Sequence, residues 1–252
     1  MNFPRLNGER RMAPARFQAG DGYIVASSRM WHYDAYLDLK GSLAADWRWV
    51  STKSGLEDTL SQMRPRYIFF LHWNWYVPSE IYETYECVCF HMTDVPYGRG
   101  GSPLQNLILA GHTSTRLTAL RMVEQMDAGP VYAQRPLELT GSAQSIYETA
   151  GWKSCEVIRW IIDNNPAPTA QSGEATLFER RTPAQSEMAK DADSNRVFDF
   201  IRMLDAEDYP HAFIDYGNMR LELTDARLAN GKVSACVTIS FDEVAGLETG
   251  DM

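Results

Sequence analysis

The chain has 252 residues and a mass of 28.6 kDa, enough to bury a sizeable core as one large domain or as a domain with a small appendage. Apolar residues make up 44% and charged residues 23%, and no run of about eighteen apolar residues occurs, which excludes a membrane-embedded protein. The formal net charge of −9 disfavours a broad nucleic-acid surface but allows a local basic pocket for a small anion.

The N-terminal stretch and the cysteines indicate the cellular compartment. "MNFPRLNGERRMAPARF" contains basic residues but lacks the apolar core of a secretory signal, so we expect a cytoplasmic protein. The four cysteines are few and irregularly spaced, and Cys87 and Cys89 would point to the same face of a strand. The sequence therefore predicts reduced thiols, no disulfide framework and no metal site.

From residue 22 onward, short apolar segments alternate with segments of helical character such as "SGLEDTLSQM". This alternation predicts an α/β fold with a parallel sheet. The nearly unbroken apolar character of "CVCF" is typical of a strand that is covered on both faces. The predicted strands are "YIVASS" (23–28), "WRWVST" (47–52), "YIFFLHW" (67–73) and "CVCF" (87–90).

The second half of the chain contains further helices, a linker and a small β-region. "SPLQNLILAG" and "SAQSIYETAGWKSCEVIRWIIDN" have amphipathic spacing, the latter with Ser142 as its cap, and "PVYAQRPLEL" between them predicts a strand. Pro, Ser, Gly and Asn cluster at 164–175, which indicates a linker. Beyond it, "SNRVFDFIRML" predicts a helix, and the following segment predicts a β-meander. We therefore predict an extension at 1–21, a catalytic domain at 22–165 and a linker with a small C-terminal subdomain at 166–252.

His91 is the first candidate for chemistry, because it directly follows the predicted strand "CVCF". Ligands of open α/β sheets bind beyond the carboxyl ends of the strands, where a histidine can move a proton. A histidine bonded structurally at a strand end is the alternative. Asp94 and Asp127 are the nearby carboxylates, and Asp127 precedes a small-residue turn that would expose its side chain. An aspartate at that position is also a common turn former.

The segment "GRGGSP" at 98–103 does not match the standard phosphate-binding motifs. It lacks the lysine and spacing of a P-loop and does not match G-x-G-x-x-G. Arg99 nevertheless offers a planar, anion-binding side chain in a glycine-rich setting. The alternative is a solvated turn residue.

"CFHMTDVPYGRGGSPLQNLILAG" followed by "RMVEQMDAGPVY" resembles the active-site region of the formyltransferase family that uses N10-formyltetrahydrofolate. That family includes methionyl-tRNA, glycinamide ribonucleotide and nucleotide-linked amino-sugar formyltransferases. The resemblance covers about residues 22–165 and implies a Rossmann-like, mostly parallel sheet flanked by helices. "RRTPAQSEM" and "IRMLDAEDYPHAF" resemble the start of the C-terminal region in the sugar and tRNA branches. The residues that match the family pattern in order are His91, Pro96, Arg99, Gly100, Pro103, Asp127 and Gly129.

The resemblance implies roles for the matching residues. An amine attacks the formyl carbon of N10-formyltetrahydrofolate, His91 stabilises the tetrahedral intermediate and moves protons, and Asp127 orients His91 or a water and accepts the proton of the amine. No metal is needed. Ordinary packing is the alternative for the tryptophans, and core burial is the alternative for Met122 and Val123. The folate-binding residues implied by the resemblance are Trp73, Asn74, Met122, Val123, Gln125 and Asp127.

Cys89 departs from the family pattern, which has an asparagine at this position. That amide helps to hold the formyl oxygen as charge develops, and a thiol is a weak donor. Three explanations remain open: Asn74 or His72 replaces the amide, a protonated His91 acts alone, or catalysis is impaired. A nucleophilic Cys89 is disfavoured because no activating base is obvious.

The acceptor implied by the resemblance is a nucleotide-linked amino sugar carrying UDP, dTDP or GDP. A tRNA acceptor would call for a basic face and a full C-terminal domain, whereas this chain is acidic and only a small appendage follows the linker. The motif also resembles formyltransferases of nonulosonic acid pathways such as pseudaminic acid synthesis. A non-catalytic folate- or nucleotide-binding relative and a domain that formylates a carrier-bound amino acid are the alternatives from other classes. The predicted acceptor-binding residues are His72, Arg99, Ser102, Pro103 and Gln105, and the C-terminal strands offer edges for a homodimer.

Overall fold

The computed structural model describes Gly20 and residues 22–241. The extension predicted for residues 1–21 therefore lies outside the described residues, Gly20 apart. The main sheet has six strands in the order β2-β1-β3-β4-β6-β7. Neighbouring strands are parallel from β2 to β4, whereas β6 and β7 pair antiparallel. The strands are β1 (Gly22–Ala26), β2 (Asp46–Val50), β3 (Pro65–Phe70), β4 (Glu86–His91), β6 (Ser114–Arg121) and β7 (Val131–Glu138), and a short β5 (Arg99–Gly100) lies outside this sheet.

The helices begin where the sequence supplies caps. The side chains of Thr52, Ser142 and Asp193 each accept a hydrogen bond from a backbone N–H in the first turn of the following helix, as predicted for Ser142. These bonds satisfy donors that the helix itself leaves unpaired. The helices are α1 (Tyr33–Ser42), α2 (Lys53–Gln62), α3 (Ser79–Tyr82), α4 (Pro103–Leu109), α5 (Ala143–Asn164) and α6 (Ser194–Arg202), with short 3-10 turns at Met30–His32 and Pro183–Ser186.

The central strands are buried on both faces. Ile24, Val25 and Phe69 are each fully buried, and their side chains alternate between the two helical layers that cover the sheet. Burying a side chain of this size contributes about 1.5–3 kcal/mol. The unbroken apolar strands therefore encode a sheet covered on both faces. Within the described part of the chain, no helix is both long and apolar enough to cross a bilayer.

The C-terminal part forms a small antiparallel sheet that packs on α6. The sheet has the order β11-β10-β9, with β9 at Ala212–Tyr216, β10 at Met219–Ala229 and β11 at Lys232–Phe241. One face of the sheet contributes to the apolar cluster around α4, α5 and α6. The predicted β-meander and the predicted fold class are confirmed.

The predicted linker is held against the catalytic domain. After the linker, β8 (Leu177–Phe178) pairs in parallel with β5. The Thr176 carbonyl accepts a hydrogen bond from the Arg99 N–H, and the Thr176 N–H donates to the Pro96 carbonyl. The Val95–Pro96 peptide bond in the same turn is cis. These contacts place the end of the linker next to the loop that follows β4, the strand that ends at His91.

Candidate active site

His91 and Asp127 form the polar centre of the site. His91 is the last residue of β4, and its Nδ1 lies 3.5 Å from Oδ2 of Asp127. Its Nε2 lies 2.8 Å from the carbonyl oxygen of Gly98, which only accepts hydrogen bonds, so Nε2 carries a hydrogen. In an imidazolium, the second N–H would face the Asp127 carboxylate. This arrangement can hold a proton at Nδ1 and exchange it with a neighbouring group.

Close backbone contacts at two glycines hold the Asp127 carboxylate in place. Asp127 has a φ of +53°, and its Oδ2 accepts a hydrogen bond of 3.0 Å from the Gly100 N–H. Gly100 has a φ of +107°, and a Cβ there would lie 2.4 Å from the carbonyl oxygen of Phe178. A Cβ at Gly129 would lie 1.8 Å from the carbonyl oxygen of Arg121. The Arg-Gly and Asp-x-Gly patterns therefore specify backbone geometry as well as chemistry.

Cys89 lies on β4 and lines the same cavity as His91. Burial raises the pKa of the Cys89 thiol well above its ordinary value, and the Asp127 carboxylate raises it further. The thiolate is the nucleophilic form of cysteine, and a neutral thiol is only a weak hydrogen-bond donor. Cys89 therefore has the properties of a small neutral wall residue at neutral pH.

A cavity of about 650 Å³ opens at the carboxyl ends of the central strands, with the His91–Asp127 pair in its wall. One side of this cavity is aromatic and is formed by the loops that follow β3 and β6. The rings of Trp73 and Trp75 meet edge to face there, with their centroids 4.9 Å apart. This volume lies within the range of about 300–1,000 Å³ that is typical of pockets for small molecules. Among the residues predicted to bind folate, Trp73, Asn74, Met122, Val123 and Asp127 line the cavity.

Gln125 differs from the other predicted folate-binding residues. It is absent from the cavity wall, which Glu124 and Met126 reach on either side. The Gln125 carbonyl instead accepts a hydrogen bond of 3.2 Å from the Ala128 N–H, which closes a turn. Its position in the described structure is therefore that of a turn residue next to the cavity.

Arg99 also lies away from the cavity wall. Its Nε and Nη2 donate to Oε1 of Gln171 at 3.1 and 2.7 Å. Nε2 of Gln171 in turn donates to the backbone carbonyls of Asp127 and Gly129 at 2.8 and 2.7 Å. In the described structure, the Arg99 guanidinium therefore makes an internal contact that fastens the linker to the Asp127 loop.

Another side of the cavity is formed by the loop after β1, by α4 and α5, and by the chain after β8. Trp31 stacks on Tyr147 with the ring centroids 4.7 Å apart. The fully buried Gln105 donates from Nε2 to the Tyr147 hydroxyl and to the Met203 carbonyl at 3.0 and 2.9 Å. Its Oε1 has no hydrogen-bond partner among the described residues. The predicted acceptor-binding residues that line this side are His72, Ser102, Pro103 and Gln105.

Two neutral histidines lie at the base of this side. Burial, with smaller electrostatic contributions from His32, Arg29 and Arg180, lowers the pKa of His72 to about 3. Burial alone lowers the pKa of His32 to about 4. Both imidazoles are therefore uncharged at neutral pH and can offer hydrogen bonds to a ligand without adding charge.

Four arginines in the cavity wall were missed by sequence reasoning. Arg121, at the end of β6, is paired with Glu86, and the other three are Arg29 in the loop after β1 and the adjacent pair Arg180 and Arg181 after β8. The available signal was the consecutive pair in "ERRTPAQSEM", in a chain whose overall charge is negative. Nothing in the spacing of Arg29 distinguishes it, because only the folded sheet brings the end of β1 next to the end of the linker. Within residues 22–241, no group of three or more His, Cys, Asp or Glu side chains is arranged to hold a metal ion.

Two comparisons relate this chain to formyltransferases. The family described as methionyl-tRNA formyltransferase, C-terminal domain, matches residues 183–240. The structure of methionyl-tRNA formyltransferase from Clostridium thermocellum is 39% identical in sequence, with a TM-score of 0.85 over 88% of this chain and 100% of that chain.

More distant structures share the fold alone. HypX from Aquifex aeolicus in complex with tetrahydrofolic acid is 18% identical, with a TM-score of 0.69 over 84% of this chain and 40% of that chain. A 4-N formyltransferase from Francisella tularensis is 14% identical, with a TM-score of 0.61 over 89% of this chain and 99% of that chain. The chain is 39% identical to the Clostridium thermocellum protein over that protein's full length, and the family match agrees with this similarity. The chain therefore belongs to the formyltransferase family and is a formyltransferase enzyme.

Proposed function

We propose that the protein transfers a formyl group from N10-formyltetrahydrofolate to the amino group of a nucleotide-linked amino sugar. The observation that carries the proposal is the His91–Asp127 pair in the wall of a cavity that also has an aromatic side, with Trp73 and Trp75, and a cationic side, with Arg29, Arg180 and Arg181. The aromatic side suits a flat pterin and the cationic side suits an anionic acceptor. The two reactants would then meet at the pair. We propose a cytoplasmic location for this reaction.

The formyl donor is supported by the chemistry of the cavity wall. Trp73, Met122 and Val123 offer apolar surface next to the polar centre, and Asn74 adds an amide. When bound, N10-formyltetrahydrofolate supplies an activated formyl group. These side chains would hold and orient the donor, and the buried setting would exclude water from the formyl carbon. The deep position of His91, whose side chain is 8% exposed, fits this role.

The chain's own residues divide the proton transfers. The acceptor amine forms a C–N bond to the formyl carbon as it attacks, and its surplus proton goes to the Asp127 carboxylate, which is placed to accept it. The bond between the formyl carbon and N10 of the donor then breaks, and the proton held by Asp127 would pass to N10 as tetrahydrofolate leaves. In its imidazolium form, His91 would carry a hydrogen on Nδ1 as well as on Nε2, and the Nδ1 hydrogen would stabilise the oxygen on which negative charge develops. The neutral Cys89 thiol leaves the strong donation to His91, with the Asn74 amide as the second candidate donor. Direct transfer of this kind needs no covalent enzyme intermediate.

The charge of the C-terminal part favours a sugar acceptor over tRNA. Acidic side chains outnumber basic ones over residues 183–240, the segment that matches the family described as methionyl-tRNA formyltransferase, C-terminal domain. A protein that grips a tRNA backbone needs a basic face, because phosphate contacts dominate such binding. Methionyl-tRNA remains the second candidate acceptor, on the 39% identity to the Clostridium thermocellum protein.

The test is a turnover assay with both acceptor classes. The purified protein is incubated with N10-formyltetrahydrofolate and a panel of UDP-, dTDP- and GDP-linked amino sugars, with methionyl-tRNA in a parallel arm. Release of tetrahydrofolate is followed by absorbance, and the formylated product is identified by mass. We expect formylation of at least one nucleotide sugar. Turnover with methionyl-tRNA alone would replace the sugar by the second candidate, and no turnover with any acceptor would refute the proposal.

A further inference from the structure

The cationic side of the cavity is built from two distant parts of the chain. Arg29 belongs to the loop that follows β1, and Arg180 and Arg181 belong to the segment that follows β8. His72 lines the same cavity as these three arginines. A protein with a net charge of −9 thus has three cations in the wall of the cavity that holds the His91–Asp127 pair.

These cations are only partly neutralised by the protein. Nη1 of Arg29 lies 3.2 Å from Oδ2 of Asp208, whose side chain is 76% exposed. Arg180 makes no hydrogen bond or ion pair with the residues the structure describes. The Nε atoms of Arg29 and Arg181 are buried, and neither has a hydrogen-bond partner in the described part of the chain. Buried donors without acceptors are rare in proteins, and a ligand is one way to satisfy them.

We propose that Arg29, Arg180 and Arg181 form a subsite for the diphosphate of the acceptor. The inference rests on the proposed function, and it moves the anion contact from Arg99, which holds Gln171, to this cluster. Guanidinium groups pair with phosphate oxygens through parallel, charge-assisted hydrogen bonds. The two neutral histidines beside the cluster offer further hydrogen bonds and leave its charge unchanged.

The fold positions Arg29 and Arg181 in advance of binding. The guanidinium carbon of Arg29 lies 5.2 Å from the centre of the Trp31 ring, and that of Arg181 lies 5.8 Å from the centre of Phe200. The Arg181 N–H donates a hydrogen bond of 3.0 Å to Oγ of Ser102. Ser102 therefore acts on the acceptor side by positioning the arginine segment. Side chains that are already ordered lose less entropy when a ligand binds.

Tight packing also fixes the backbone of the arginine segment. A Cβ at Gly101 would lie 2.5 Å from Cα of Arg180, so the α4 loop and this segment are in direct contact. The glycines of "GRGGSP" therefore support an anion site indirectly. They admit the chain that carries the arginines and do not cradle the phosphate themselves.

The experiment measures binding of UDP and of inorganic pyrophosphate by calorimetry to the full chain, alone and with tetrahydrofolate present. Arg180→Gln is the main variant. Arg180 is exposed, and its substitution breaks no ion pair among the described residues. Arg180→Lys retains the charge and loses the planar fork. Arg227→Gln on the exposed surface of β10 is the matched control.

We expect the wild-type protein and Arg227→Gln to bind both probes equally well, and Arg180→Gln to weaken binding by about tenfold or more. Arg180→Lys should fall between them, and tetrahydrofolate affinity should stay the same in all four proteins. Arg29→Gln should weaken the two anions in the same way. Higher salt should weaken the wild type more than Arg180→Gln.

Two results separate the subsite from the proposed function. If a nucleotide sugar is formylated but Arg180→Gln and Arg29→Gln bind UDP and turn over as the wild type does, the subsite is wrong while the function stands. If no amino sugar is formylated but pyrophosphate binding depends on Arg180, the subsite stands and the acceptor is wrong. Binding of tRNA, but of neither small probe, through Arg180 would also overturn the diphosphate assignment.

Discussion

At the scale of single residues, the His91–Asp127 pair is the feature on which the proposed chemistry depends. Asp127 contacts His91 Nδ1 through Oδ2, and the same oxygen accepts the Gly100 N–H. An amide in place of the carboxylate keeps the shape of the side chain but cannot accept the proton of the amine. The proton transfer should therefore fail while the fold survives.

We predict that Asp127→Asn and His91→Ala each lower kcat by about 10²-fold or more, as expected for loss of an acid–base group. The measurement is the steady-state rate of tetrahydrofolate release, with circular dichroism to check folding. Asp163→Asn, on the exposed end of α5, is the matched control and should retain full activity. A folded Asp127→Asn protein with near wild-type turnover would contradict the assignment.

Cys89 gives a second prediction, because its thiol is held neutral by burial and by Asp127. Cys89→Ala should keep kcat within about threefold, since a protonated thiol supplies neither a nucleophile nor a strong donor. Iodoacetamide at neutral pH should label the exposed Cys236 and spare Cys89, as read by peptide mass spectrometry. Cys236→Ala serves as the control for both measurements. Loss of activity by about 10²-fold in Cys89→Ala would show that the thiol takes part in the reaction.

Cys89→Asn tests how the oxyanion site was reorganised. The asparagine restores the amide of the family pattern at a partly buried position beside Asp127. We expect turnover to be retained or raised, because the amide adds a donor next to His91. A collapse of turnover in a folded Cys89→Asn protein would instead show that this cavity requires the smaller side chain.

The buried histidines link stability to pH. The pKa of His72 is about 3 and that of His32 about 4 in the folded protein, against 6.5 for an unperturbed histidine. Between about pH 6.5 and pH 4 the unfolded chain takes up protons that the folded chain refuses. The free energy of unfolding should therefore be highest above pH 6.5 and fall by about 1.4 kcal/mol per pH unit for each histidine below it.

Urea denaturation at pH 7 and pH 5 measures this slope. His72→Asn should flatten it, because one of the two groups is removed, and asparagine tolerates the φ of +49° at this position. His112→Asn, at an exposed position, should leave it unchanged. Equal slopes in the wild type and His72→Asn would contradict the predicted linkage.

At the scale of elements, the linker acts as a structural part of the site. Its residue Gln171 joins Arg99 to the backbone carbonyls of Asp127 and Gly129 with a single side chain. The predicted linker therefore does more than connect two regions. It fixes the loop that carries Asp127, the proposed catalytic carboxylate, and it leads into β8 and the arginine segment.

We predict that Gln171→Ala destabilises the protein by about 1–3 kcal/mol, because several half-buried polar groups lose their partners. It should also lower kcat, since the Asp127 loop loses two hydrogen bonds. Gln171→Glu keeps the acceptor for Arg99 and loses the donors to the Asp127 loop. Its stability should therefore lie between that of the wild type and that of Gln171→Ala. Thermal melting and turnover are measured together, and unchanged values for Gln171→Ala would remove the linker from the site.

At the scale of the whole molecule, the C-terminal sheet has more apolar surface than its own packing covers. Leu223, Val233 and Ala235 face the cluster around α6. Beyond them, Val237, Ile239 and Phe241 continue the same face of β11, and their side chains are 49%, 52% and 64% exposed. A second copy of the chain could cover this stripe and pair with the edge of β11.

We expect the protein to be a homodimer through this face. Ile239→Lys should yield a monomer, because it places a charge in the stripe, whereas Thr238→Lys on the opposite face should leave the dimer intact. Light scattering after gel filtration gives the mass of each species. A monomeric wild-type protein, or a dimer that survives Ile239→Lys, would contradict this interface.

The sequence by itself determined the parts of the protein that depend on local pattern. Alternating apolar strands and amphipathic helices predicted the α/β sheet, Ser142 marked the start of α5, and the Gly and Asn turns predicted the C-terminal meander. The short motif around His91, with Asp127 further along, was sufficient to indicate the family. The segment "STRLTALR", which forms β6, was not predicted as a strand, because its residues lack a strong local strand pattern.

Only the tertiary structure decided which charged side chains face the cavity. Arg99 lies in the most conspicuous motif yet points to Gln171, while Arg29 and the pair Arg180 and Arg181 line the cavity from distant segments. The physical reason is that a side chain's partner depends on which loops the sheet order and the β5–β8 pairing bring together. Periodicity and motif spacing specify elements and short-range turns, but the convergence of loops is a property of the folded sheet.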